Sequence, residues 1–209
     1  MHQKNINQYH CRELRDLEWV LNSPPLLSSA SGLPLASLNE LSRQGLPSWL
    51  ASLDVDPTPL LDHLEACSCV RLGCYFEALL GFVLEHAPEL SLLLKQWIVR
   101  DEGRTLGECD FIFRDGIGEV FHWEVSVKFY LYYQGAYLGA NTNDRLDKKC
   151  QHLLERQLLL PQQMLVRQRL KREFAIWQLS SQGYIKGMLF HPLGFVGVVE
   201  EGIASNHLR

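Results

Sequence analysis

Residues 107–131 read GECDFIFRDGIGEVFHWEVSVKFYL. The run is the most β-prone in the chain, rich in Phe, Val and Ile, with a turn signal at Gly116-Ile117-Gly118. It predicts two antiparallel strands. Side chains alternate across a strand, so residue parity sorts the two faces. Phe121, Trp123, Val125, Val127 and Phe129 make one apolar face of the second strand, with Cys109, Phe111 and Phe113 as its counterpart on the first. Val120, His122, Glu124, Ser126 and Lys128 share the opposite face, as do Glu108, Asp110 and Ile112. If both apolar sets lie on one side, paired residue numbers sum to an even number. A short loop over Gly116–Gly118 fits a sum of 234, which pairs Phe113 with Phe121 and Asp110 with Glu124. Carboxylates directly opposite one another sit about 5 Å apart at Cβ. Such a pair raises one pKa or recruits a cation, and oxygen-only donors suit Mg²⁺ or Mn²⁺. A solvent-facing sheet surface with ordinary polar alternation is the plainer alternative.

Working outward, CRELRDLEWVLN (11–22) predicts a short amphipathic helix with Leu14, Leu17, Val20 and Leu21 on one side, ended by SPP. Residues 28–58 read as an irregular wrapping segment with helical turns near Leu38–Arg43 and Pro47–Leu53. Helical spacing returns at PLLDHLEAC and at VRLGCYFEALLGFVLEHA, where Leu72, Phe76, Leu79, Leu80 and Val83 fall on one face. ELSLLLKQWIV fits a helix or a buried strand. After the strand pair, a Gly/Asn-rich loop leads into DRLDKKCQHLLERQLLL, a predicted helix with Leu146, Cys150, Leu153 and Leu154 as its apolar stripe. QQMLVRQRLKREFAIWQL reads as a third helix and YIKGMLFHP as a late strand. The fold expected is α/β: a mixed sheet flanked by helices, with a helical and irregular segment over 1–58, the core over 59–200, and a tail or truncated end over 201–209.

The chain has 209 residues, 46% of them hydrophobic and 21% charged, and a net charge of −4. No apolar run reaches the ~18–20 residues of a membrane span, and the N-terminus lacks an apolar signal core. The six cysteines follow neither a disulfide scaffold nor a zinc pattern, so reduced thiols of a cytoplasmic protein are expected. Charge is unevenly spread: residues 145–172 carry +6 and the remainder −10. Arg145, Lys148, His152 and Arg156 recur at helical spacing as one basic stripe, with Lys149 beside it. That asymmetry fits either a polyanion-facing surface or a solvated basic helix face. Phe129, Tyr130, Tyr132, Tyr133 and Tyr137 fit a core edge and aromatic loop better than a base-stacking platform. No phosphate-binding Gly loop, dinucleotide fingerprint, HExxH or Gly-x-Ser-x-Gly motif is present.

A helix glutamate, a strand Asp, a strand Glu with a following Lys, then a helix and a strand resemble the PD-(D/E)XK nuclease-like superfamily. GCYFEALLGFVLE, RTLGECDFIFRD, HWEVSVKFYL, LGANTNDRLDKKCQHLLERQL and the N-terminal RDLEWVLNSPPLL resemble one uncharacterised bacterial family usually placed there. The resemblance covers about residues 14–190. It implies a restriction-endonuclease-like core, with Asp110 and Glu124 as metal-binding acids and Glu77 as a further metal or water ligand. Lys128 would be the catalytic lysine, although the superfamily places it two residues after the acid, where Ser126 stands here. Glu108, His122 and Ser126 are candidate supports. The implied activity is Mg²⁺- or Mn²⁺-dependent hydrolysis of phosphodiester bonds, with Arg145, Lys148, Lys149, His152 and Arg156 gripping nucleic acid without reading its sequence. A non-catalytic binding or scaffold module on the same fold is the alternative, and a binder of some other phosphorylated ligand a third.

Overall fold

A computed structural model of the chain describes residues 9–38, 45–141, 143–193 and 207–208. Among the described residues the helices that come first include α1 (Arg12–Asn22), α2 (Leu46–Val55), α3 (Thr58–Cys67) and α4 (Leu72–His86). Three antiparallel strands follow, β1 (Ser91–Asp101), β2 (Arg104–Arg114) and β3 (Val120–Tyr133), the last paired with a short β4 (Ala136–Leu138). The chain then crosses over through α5 (Leu146–His152), a π-helical turn (Leu153–Gln157) and α6 (Met164–Phe174). It returns as β5 (Ser180–Phe190), parallel to β3. The main sheet order is β1-β2-β3-β5-β6, with β6 (His207–Leu208) parallel to β5. This is the mixed α/β sheet flanked by helices that the sequence predicts. The segment 89–99, left open between helix and strand, is strand β1. The C-terminal stretch, expected to lack an element, contributes β6.

The helix faces follow the apolar spacing. Leu14, Leu17, Val20 and Leu21 of α1 are all buried. They share one cluster with Phe76, Leu79, Leu80 and Val83 of α4 and with Phe111, Phe113, Trp123, Val125 and Tyr184 of the sheet. Leu72, expected on that face, is exposed at the first position of α4. The expected turn at Pro47–Leu53 lies within α2; the one at Leu38–Arg43 falls largely outside the described residues. The N-terminal segment also pins β5. Leu35 bridges Gly183, Leu26 N–H donates to the Ile185 carbonyl (2.8 Å), and Tyr184 Oη donates to the Val20 carbonyl (2.7 Å). The buried Lys186 ammonium donates to the Ser23 carbonyl at the C-terminal end of α1, where the helix dipole favours a cation. Burial lowers that lysine's pKa to about 8.

A second layer covers the other sheet face. Ile112 and Cys109 pack with Val99, Leu160, Val166, Leu170 and Ile176, while Tyr130, Ile185 and Leu189 pack with Leu146, Leu153 and Leu158. The face read from parity as polar is therefore buried too, as parallel β-pairs in α/β proteins generally are. Three further expectations change here. Cys109 lies with Ile112, not with Phe111 and Phe113, because both β1 and β2 lose strict alternation near the rung Gln96 and Asp110 share. Gln96 has a left-handed φ of 49°, between the pairs Lys95↔Phe111 and Trp97↔Cys109. The helix predicted after residue 144 is α-helical only to His152 and continues as the π turn, which leaves Leu154 exposed. Cys69 and Cys74, expected reduced, are disulfide-bonded across the turn into α4; Cys11, Cys67, Cys109 and Cys150 are free.

Gly187 faces Lys128 across the parallel pair with φ 139°, and a Cβ there would meet the Lys128 carbonyl oxygen at 1.7 Å. Only glycine allows this close approach. Gly187→Ala is expected to destabilise the chain by at least about 3 kcal/mol in urea unfolding, since a clash with backbone adds to positive-φ strain. A loss under 1 kcal/mol would mean that the two strands part easily.

Candidate functional site

The β2–β3 register is the one read from parity: Phe111↔Trp123, Ile112↔His122, Phe113↔Phe121 and Arg114↔Val120. The turn beyond it is closed by Asp115, whose Oδ1 accepts the Ile117 and Glu119 N–H groups. The described ladder stops at Phe111↔Trp123, and the next rung would be Asp110 opposite Glu124. A side chain takes over there: Asp110 Oδ2 accepts the Val125 N–H at 2.8 Å. The two strands thus diverge where the acids stand, which opens room between them.

Glu124 is 1% exposed and His122 fully buried, on the strand at the centre of the sheet. A buried carboxylate needs donors to offset its lost hydration. Glu124 has two: Oε1 lies 2.9 Å from His122 Nε2, and Oε2 accepts the Gln157 side-chain amide. His122 Nδ1 in turn lies 3.1 Å from Ser181 Oγ on β5. Gln157 Oε1 accepts from Lys149 Nζ (3.1 Å) and lies 3.2 Å from His152 Nδ1. Ser181, His122, Glu124, Gln157 and Lys149 therefore form one polar chain from β5 through β3 to α5. The π turn ends at Gln157, and by inserting a residue into the helical repeat it re-aims that side chain toward the sheet.

Electrostatics tie further groups to this chain. Burial first, then the Glu124 charge, raises the Asp110 pKa to about 7; the Val125 N–H and the Lys149 ammonium act the other way. Burial raises the Glu77 pKa, the charges of Glu108 and Glu124 add to it, and its hydrogen bond from Gln96 (3.3 Å) and the Lys95 charge oppose it. Burial lowers the Lys149 pKa, against the opposing pull of Glu124 and Asp110.

The predicted residues are thus distributed as follows. Glu77, Glu108, Asp110 and Glu124 share one electrostatic cluster, with His122 hydrogen-bonded to Glu124. Glu108 is exposed at its rim. Ser126 lies one alternation along the strand, its Oγ buried without a hydrogen-bond partner. Lys128 is engaged elsewhere: its ammonium sits 2.7 Å from Asp144 Oδ2, and Tyr130 Oη donates to the same carboxylate. Of the basic stripe, Arg145 pairs with Asp147 at 2.6 and 3.0 Å, and Lys148, His152 and Arg156 are exposed. Lys149, read as a neighbour of that stripe, instead turns inward to the acids. Gln157 and Ser181 were not singled out in the sequence. A lone Gln at the end of a predicted α-helix carries no signal, since its direction depends on a π turn.

The donors are hard oxygens on one face, as Mg²⁺ or Mn²⁺ requires, and Asp110 Oδ1 and the remaining lone pairs of Glu124 are available to one. Glu77, Asp110 and Glu124 do not bring one oxygen each within 4.8 Å of one another among the described residues. Asp110 and Glu124 are the residues that would hold such a cation.

Neither the curated proteins nor the solved structures yield a match to this chain. Among the described residues no helix is long and apolar enough to cross a membrane.

Asp110 keeps a proton in the folded chain at pH values where the unfolded chain, with an Asp pKa near 3.9, has lost it. Folded-state stability therefore falls as pH rises from about 4 through about 7. Asp110→Asn keeps an acceptor for Val125 N–H and removes the titration. It should flatten this slope and be the more stable chain at pH 8, by about 1–3 kcal/mol in urea unfolding. Equal pH slopes in both chains would place Asp110 in an ordinary solvated setting. Residues 15–209 match the family model described as a domain of unknown function, DUF1853, and the chain belongs to that family.

Proposed function

We propose that this protein is a metal-dependent nuclease of restriction-endonuclease-like fold, acting at the Asp110–Glu124 site on the β2–β3 rung. The observation that carries the reading is the meeting of two carboxylates with a half-buried lysine. Asp110, Glu124 and Lys149 come from three elements and lie within electrostatic reach of one another. Such a trio recurs where a phosphodiester must be bound, polarised and attacked by water. The cation expected is Mg²⁺ or Mn²⁺, which when bound at the two acids polarises a phosphate oxygen and acidifies water.

The chain's own residues supply the rest. His122 and Gln157 hold the Glu124 carboxylate in one orientation from its two oxygens. Asp110 is fixed by Val125 N–H, and its raised pKa lets it exchange a proton near neutral pH. Lys149 replaces Lys128 as the site's ammonium, positioned by Gln157 to stabilise charge on a non-bridging phosphate oxygen. Lys128 instead anchors Asp144, whose carboxyl, despite burial, is held below the usual range by that lysine. Lys148, His152 and Arg156 are exposed on the same connection and available to backbone phosphates.

A second reading rests on the same geometry. Glu124 already has two side-chain partners and Lys149 already neutralises part of the acidic charge, so the network is also what a non-catalytic binding module on this fold would keep.

Cleavage of single- and double-stranded DNA and RNA in Mn²⁺ and in EDTA separates the two. A nuclease cuts only with metal, and Asp110→Asn, Glu124→Gln and Lys149→Met each lose roughly 100-fold or more. Lys128→Met should lose much less. Binding without cleavage of any substrate, with Mn²⁺ leaving wild type and Asp110→Asn alike by NMR line broadening, would establish the binding module instead.

A further inference from the structure

A different cluster stands on the helical layer. His63 of α3 and Glu85 and His86 of the last turn of α4 each place one ligating atom within 4.8 Å of the other two. No other three His, Cys, Asp or Glu side chains meet so closely among the described residues. His63 Nδ1 faces Glu85 Oε2 at 3.9 Å. The two imidazoles are edge-on at 6.0 Å, and both contact the Phe82 ring, at 5.4 and 4.6 Å.

The remaining ring nitrogens decide which lone pairs are free. His86 Nδ1 lies 3.1 Å from the Phe82 carbonyl oxygen, which can only accept, so Nδ1 carries the proton and Nε2 keeps its lone pair. His63 Nε2 is buried with no hydrogen bond, and the Ala78 carbonyl borders the ring. Nδ1 is the His63 nitrogen on the Glu85 side. Burial, then the Lys95 charge, lowers the His63 pKa. Metal-ligating histidines are held as His86 is, one nitrogen donating to a carbonyl and the other bare.

We infer that His63, Glu85 and His86 form a transition-metal site of the Zn²⁺ class that clips α3 to α4, with water as fourth ligand. Two imidazoles and one carboxylate suit Zn²⁺ better than the hard cations expected at Asp110 and Glu124. At metal–ligand distances near 2.0–2.2 Å, tetrahedral ligands stand about 3.4 Å apart. Exposed Glu85 and His86 are free to close the difference by rotamer changes, while His63 is held by its packing. The Lys95 ammonium, 3.2 Å from where a Gly81 Cβ would stand, opposes a cation here, and the Glu85 carboxylate offsets it. The site is independent of the nuclease reading.

Titration of the full-length Asp110→Asn chain with Co²⁺ tests it, because that background weakens the oxygen site. The expected result is the visible absorption of tetrahedral Co²⁺, saturating at one equivalent, displaced by Zn²⁺ and untouched by excess Mg²⁺. The near-ultraviolet thiolate band that a free cysteine would add should be missing. His86→Gln, at an exposed position, and Glu85→Gln should each weaken binding at least ten-fold; His63→Ala should abolish it and lower Tm. Absorption no stronger than aqueous Co²⁺, or a His86→Gln chain that titrates like its parent, would overturn the inference.

Discussion

The Glu124 carboxylate is buried on the central strand of the sheet, and much of the surrounding structure is the means of keeping it there. An ion of this kind, stripped of water, costs several kcal/mol unless donors replace the lost solvent. The donors come from far apart in the sequence: His122 from two residues away on the same strand, Gln157 from the crossover. Ser181 on β5 holds His122 from its other nitrogen. Because β5 is parallel to β3, the chain must cross the sheet face to reach it, and that crossover is what carries Lys149 and Gln157 over the acids. The topology and the polar network are thus one arrangement: an antiparallel return would leave Glu124 facing solvent.

The site sits where regular structure fails in three neighbouring elements. The β2–β3 ladder ends at the acid rung, Gln96 takes a left-handed conformation on the strand alongside, and the helix after α5 widens into a π turn. Each irregularity re-aims one side chain: Asp110 onto the Val125 N–H, Gln96 onto Glu77, Gln157 onto Glu124. Bulges and π turns cluster at functional sites for this reason, since they give directions that strict repeats do not.

This also explains which features the sequence revealed. Strict alternation on β3 fixes the register, because a one-residue slip would send Trp123 and Val125 to the wrong face, and Asp110 and Glu124 follow from it. The faces of α1 and α4 follow from helical spacing for the same reason. Cys109 was misplaced because alternation assumes an unbroken strand. The burial of His122 was hidden because the layer covering it comes from residues 153–176, whose packing no local pattern of β3 encodes. Lys149, expected beside the basic stripe, is drawn inward because Gln157, at the end of a π turn that α-helical spacing does not foresee, accepts from its ammonium.

Charge balance points to what the cluster lacks. Glu77, Glu108, Asp110 and Glu124 face Lys95 and Lys149 within mutual reach, two carboxylates in excess when all are ionised. The fold can relieve that excess with a proton on Asp110, at the cost of making the site pH-sensitive, or with a divalent cation between Asp110 and Glu124. The two are exclusive at Asp110, since a proton on its carboxyl removes the negative charge the metal needs. A cation would depress the Asp110 pKa and, by linkage, bind more tightly as pH rises through about 7. Lys149, already inside the cluster, weakens cation binding by its charge, but it also places a positive group where a phosphate would arrive. On the proposed nuclease reading, a site with two carboxylates in excess and one ammonium tethered by Gln157 would take a metal and a phosphate together rather than a metal alone.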